Sequence, residues 1–126
     1  MAGFLTELYV RCEDDRFWQL YSTLRYASDI LGCIVSIPSW FRTDFASVPR
    51  VPVAFWFWGD RAHREAVLHD YLYRIDSDPV VARSVADRVF LESMISRGKG
   101  RGVRWPMYLG VRIGGGSAYH RKRVTA

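Results

Sequence analysis

One imidazole and three carboxylates carry the chemistry that this chain offers. The stretch "TDFASVPR", residues 43–50, holds Asp44, and "LHDYLY", residues 68–73, follows with His69 and Asp70. Further on, "ADRVFLESM" places Asp87 close to Phe90, Leu91 and Met94. All these acids sit in mostly apolar runs. A buried charge is costly unless a partner satisfies it. The groups are therefore either satisfied structurally, or they meet to hold a metal and move a proton.

At about 100° of turn per residue, Val80, Phe90, Leu91 and Met94 fall around Asp87 on one helical face, while Arg88 and Glu92 point elsewhere. His69 and Tyr73 lie one turn apart and share a face of an earlier helix, with Asp70 turned away from them. The short connection after Tyr73 favours antiparallel packing of the two helices. His69 then gives one ring N–H to Asp87 and keeps its other nitrogen as a base, the carboxylate–imidazole half of a hydrolytic site. No Ser or Cys completes a triad, which leaves water as the nucleophile. Asp44 and Asp70 offer hard oxygens, suited to calcium rather than zinc. A plainer reading stands beside this one. Asp87 pairs with Arg83 one turn back or with a backbone amide, and His69 is a satisfied core residue.

The elements that must position these groups follow from pattern. In a chain of 126 residues, 49% hydrophobic and 15% aromatic, one folded domain is expected and disorder is not. The first part, 1–45, reads as β, with "TELYVRC", "FWQLYSTLRYAS" and "CIVSIPSWF" as strands of an antiparallel meander. The part from 60 to 115 reads as about three helices. Asp60 caps "RAHREAVLHDYLYR". Asp78 and Pro79 open a second helix that closes on Gly98, and Pro106 starts a third, stopped by three glycines. Residues 116–126 form a basic tail. The fold class is α+β.

Charge is divided along the chain. Up to Asp60 there are 5 Arg against 7 acids, and from Arg61 onward 13 Lys or Arg against 6 acids. The loop "RGKGRGVR", with Arg101 and Arg104, is either a solvated surface or a contact for lipid phosphate or an acidic partner. Phe55, Trp56, Phe57 and Trp58 are either a core plug or an element that enters a lipid headgroup region. Neither basic stretch interleaves aromatics as single-strand binders do, so nucleic acid is not an expected partner. Cys12 and Cys33 lie in strand-like runs and are expected as buried free thiols. The N-terminus lacks an apolar signal-peptide core, which implies synthesis in the cytoplasm without export by that route.

Four ordered stretches, "TDFASVPR", "AVLHDYLYR", "ADRVFLESM" and "MYLGVRIGG", resemble an uncharacterised family of tailed-phage and prophage proteins. The resemblance implies a phage origin and no established chemistry; the setting expected for such a protein is a virion, with other tail proteins as partners. More distantly, the order Thr-Asp, His-Asp-x-x-Tyr-Arg, Asp-x-x-Phe-x-x-x-Met and a Tyr-containing helix is similar to bacterial and fungal secreted phospholipases A2. That likeness implies a paired-helix core and ester hydrolysis on bacterial envelope lipids. It makes His69 the base and Asp87 its orienting partner, with Tyr73 in support. Asp44, the Phe45 carbonyl and Asp70 become calcium ligands. The chain departs from those enzymes in its β-rich N-terminal part and its short helix connection. The alternative expectation is a non-catalytic tail or baseplate component.

Overall fold

The computed structural model describes residues 2–12, 18–43, 63–98, 101–114 and 119. Asp44, Phe45, the Phe55–Trp58 run and Asp60 lie outside the described residues. Two three-stranded antiparallel sheets precede three described helices, which makes the chain α+β. The first sheet has the order β1-β4-β5, from Gly3–Phe4, Leu24–Ser28 and Cys33–Ile37. The second has the order β2-β3-β6, from Val10–Cys12, Trp18–Leu20 and Arg42–Thr43. The helices are α1, His63–Leu72, α2, Arg83–Ser96, and α3, Arg101–Gly114.

The expected single meander is thus split. "FWQLYSTLRYAS" is two strands rather than one, because the chain turns at Tyr21 and Ser22 and β3 and β4 join different sheets. In β4 and β5 the pairing runs from Leu24 opposite Ile37 to Ser28 opposite Cys33. Alternation sends Leu24, Tyr26, Val35 and Ile37 inward, each with no exposed surface. They meet Val67, Leu68 and Leu72 of α1 and Ala86 and Val89 of α2 in one core. Cys33 shares the face of Val35 and Ile37 but sits at the strand's turn end, and it is an exposed free thiol rather than a buried one.

Two helix boundaries also differ from expectation. The second helix does not open at Asp78–Pro79, a cis peptide, but at Arg83 after Ala82, and Val80 is exposed before it. Local bonds hold this connection: Tyr71 Oη accepts from the Asp78 N–H at 3.0 Å, and Ser77 Oγ donates to the Pro79 carbonyl at 3.0 Å. Its end is as expected. Gly98 adopts φ 76° and its N–H bonds the Ile95 carbonyl at 3.0 Å, a left-handed stop that glycine accepts without strain. The third helix starts at Arg101, one turn before Pro106, so Arg101 and Arg104 belong to a helix rather than a loop.

Glu92 ties α2 to the first sheet. Its Oε1 accepts from Tyr26 Oη at 2.7 Å and Ser28 Oγ at 2.8 Å, and its Oε2 accepts from the Ile30 N–H at 3.0 Å. Burial raises the Tyr26 phenol far above its usual value, and the hydrogen bond and charge of Glu92 add to that. The phenol therefore remains a donor. Truncating Glu92 removes the acceptor of both hydroxyl hydrogens, those of Tyr26 and Ser28. Glu92→Ala is expected to lose about 2–3 kcal/mol of unfolding free energy, read from urea denaturation, with Glu92→Gln losing less.

Candidate functional site

His69 lies in the last turn of α1 and Asp87 in the second turn of α2, and the antiparallel packing of these helices brings the two side chains together. His69 Nε2 is 2.6 Å from Asp87 Oδ1, and neither side chain has any exposed surface. Tyr73 Oη donates to the same oxygen at 2.5 Å. The other oxygen, Oδ2, accepts from Arg112 Nη1 at 2.9 Å. Three donors from two neighbouring helices and the turn after α1 therefore surround one carboxylate.

The electrostatics fix the protons. Burial pushes the Asp87 carboxyl upward, but the donated bonds of His69, Tyr73 and Arg112 outweigh it and hold the group below its ordinary range. At neutral pH Asp87 is ionised and only accepts. Nε2 of His69 must then carry the hydrogen of that bond, and in the neutral ring Nδ1 has the lone pair. Burial, followed by the hydrogen bond and charge of Asp87, drives the Tyr73 phenol well above its usual value, so it too stays a donor. The imidazole is held between aromatic rings, with centroids 4.1 Å from Tyr73 and 4.8 Å from Phe90. An imidazole oriented by a carboxylate in this way has the arrangement of the base half of a hydrolytic pair.

Asp70 follows a different course. Its Oδ2 accepts from Arg74 Nη2 at 2.9 Å, both side chains being nearly buried. The same Nη2 reaches the Arg42 carbonyl at 3.1 Å, and the guanidinium lies 5.0 Å from the centre of the Phe41 ring. Asp70 thus has a cation of its own, and a metal there has to share it with Arg74. Among the described residues no three metal-ligating side chains converge. Asp70 is the one expected calcium ligand that the described residues include.

Several contributors escape a reading of local pattern. The Arg that meets Asp87 is Arg112, 25 positions on, and not Arg83. Arg83 Nη2 instead donates to the carbonyls of Val111 and Arg112, near the C-terminal end of α3, and so fixes the helix that carries Arg112. Tyr119, from the stretch read as a tail, donates to the Val81 carbonyl, and its ring packs edge-on against Tyr73 with centroids 5.2 Å apart. Glu65, fully buried one turn before His69, forms an ion pair with Arg97 at 2.8 Å. The signal for Arg74 was available, since it lies four residues after Asp70, just past the end of α1. Nothing local announces Arg112 or Tyr119.

The depressed Asp87 carboxyl makes stability depend on acid. Because its folded value lies below the ordinary 3.8, the native state binds the proton more weakly than the unfolded chain. Its contribution is complete above the unfolded value and disappears as pH falls through the folded one. Asp87→Asn is expected to be less stable than the wild type by about 3 kcal/mol near neutral pH, from the loss of a buried charged partner. In urea denaturation the gap between the two proteins should narrow as pH falls below the ordinary 3.8. A gap that does not change with pH contradicts this account of the carboxylate.

Comparison with known proteins adds one finding. Residues 18–111 match the model of a family described as "Protein of unknown function (DUF1353)". No curated protein and no solved structure matches the chain. The matched span takes in four of the six described strands, His69, Tyr73 and Asp87, and most of α3, and on that span the chain belongs to the DUF1353 family.

Proposed function

We propose that this chain is an ester hydrolase that uses water as its nucleophile, with a phospholipase A2-like mechanism directed at bacterial envelope lipids. The observation that carries the reading is the 2.6 Å pairing of His69 Nε2 with an ionised Asp87 that Tyr73 and Arg112 also contact. In this reading Nδ1 of His69 takes a proton from water as the oxygen attacks the ester carbonyl. The imidazolium, stabilised by Asp87, then returns the proton to the departing alkoxide, so that acid and alcohol are released. Tyr73 and Arg112 position Asp87 and do not touch the substrate. A calcium ion held by Asp44, the Phe45 carbonyl and Asp70 would supply positive charge for the oxyanion. The proposed setting is a phage virion, in which the protein acts on the host envelope beside other tail proteins.

The complete burial of His69 favours a second reading. Under it the same four side chains are a polar knot that locks three helices, and the protein is a non-catalytic tail or baseplate component.

Fatty-acid release from phospholipid vesicles separates the two. The hydrolase reading expects turnover by the wild type, a fall of about 10³-fold or more for folded His69→Gln, and a fall of about 10²–10⁴-fold for Asp87→Asn. It also expects loss of activity on adding a chelator and recovery with calcium. If the wild type releases no fatty acid where a control phospholipase does, the hydrolase reading is lost. The structural reading then expects His69→Ala to cost about 3 kcal/mol in urea denaturation.

A further inference from the structure

Helix α3 has two apolar faces, and packing accounts for one. Met107 and Val111, 2% and 0% exposed, meet Phe90 and Met94 of α2 in a second core. On the far side Trp105, Leu109 and Ile113 are 43%, 53% and 85% exposed. They follow one another at intervals of four residues, so they form a continuous outward stripe, about 12 Å long at 1.5 Å per residue. A surface helix ordinarily presents polar side chains there.

Charge in this part of the sequence is of one sign. After Glu92 the chain has eight Lys or Arg and no Asp or Glu: Arg97, Lys99, Arg101, Arg104, Arg112, Arg121, Lys122 and Arg123. Helix α3 itself contains Arg101, Arg104 and Arg112. By the helical angle Arg112 falls immediately beside Trp105 on the rim of the stripe, and its side chain is 35% exposed although it also reaches Asp87.

We propose that the outer face of α3 docks on an anionic lipid bilayer, with Trp105, Leu109 and Ile113 entering the headgroup boundary. The bilayer fits both halves of the surface. Apolar side chains gain by leaving water, tryptophan favours the interfacial zone, and Arg112 at the rim meets lipid phosphate. A nucleic acid offers the anions but no apolar layer for Leu109 and Ile113. A second copy of this chain offers the apolar face but repeats the positive charge. The biological purpose of docking rests on the envelope-lipid reading above, whereas the docking itself does not require catalysis.

Flotation of the full chain with vesicles tests it without any activity readout. The wild type is expected to float with vesicles rich in phosphatidylglycerol and to float much less with pure phosphatidylcholine, or with the anionic vesicles in high salt. Trp105→Ser, Leu109→Ser and Ile113→Ser combined should lower partition by about tenfold or more. Ile34→Ser, an exposed apolar residue on the outer face of β5 rather than on α3, should leave it unchanged. Far-UV circular dichroism and urea midpoints check that the variants fold. Equal flotation of the wild type and the triple variant, or no flotation of the wild type, overturns the proposal. So does binding of duplex DNA in place of vesicles, or self-association in the ultracentrifuge that the triple variant abolishes. Failure of hydrolysis is separate: an inactive chain that floats through the stripe keeps the docking surface and loses the enzyme.

Discussion

An ionised carboxylate with no exposed surface governs the helical half of this protein. Asp87 cannot be left alone in the interior, since an unpaired buried charge costs several kcal/mol. Its compensation is drawn from three places: the imidazole in the last turn of α1, the phenol just after it, and a guanidinium from α3. Together the donors fix two neighbours of α2. His69 and Tyr73 set how far α1 can slide along α2, and Arg112 sets where α3 must end. Arg83 supports the last contact by bonding carbonyls near the C-terminal end of α3. The hydrophobic contacts around this knot are non-directional. The knot supplies the directional part.

The sheets are joined to this arrangement by a second carboxylate. Glu92 lies five residues after Asp87 on α2 and faces the other way, toward Tyr26, Ser28 and Ile30. One helix therefore presents an acid to its helical neighbours and another to the sheet. The two differ in burial. Asp87 is wholly enclosed, while Glu92 is partly exposed, so the former depends more on its donors than the latter does.

Local periodicity made the His69–Asp87 meeting legible. Both residues lie in helices long enough to show a face, and a short connection leaves antiparallel packing as the simple arrangement. The α+β order was legible for the same reason, as alternation and helical spacing occupy separate parts of the chain. What stayed hidden depends on distance in sequence. Arg112 comes from a helix whose start was placed at Pro106, because a glycine-rich basic stretch reads as a loop; the helix in fact takes in Arg101 and carries Pro106 beyond its first turn. The connection before Arg83 looked like a helix start, since Asp-Pro is a common opening, but hydrogen bonds from Tyr71 and Ser77 hold it otherwise. The splitting of the meander into two sheets turned on two residues, Tyr21 and Ser22, in a run otherwise rich in strand formers. Asp70 illustrates another limit. Its residue type suits a metal, yet a guanidinium one turn away satisfies it as well, and composition does not distinguish the two.

The inner and outer faces of α3 are under different demands. Inside, Met107 and Val111 must fill space against α2, and Arg112 must reach Asp87. Those requirements fix residue size and one charge. Outside, Trp105 packs edge-on against Tyr108 but keeps 43% of its surface exposed, and Leu109 and Ile113 keep 53% and 85%. The fold would accept polar residues at these positions at little cost, since exposed helix sites are governed by mild propensities. Three large apolar side chains in register are thus not explained by folding. They raise the risk of aggregation, and under the docking proposal their use lies in a surface outside the chain that prefers them to water. Because Arg112 stands between that face and Asp87, whatever covers the stripe lies one side chain away from the carboxylate that orders the interior.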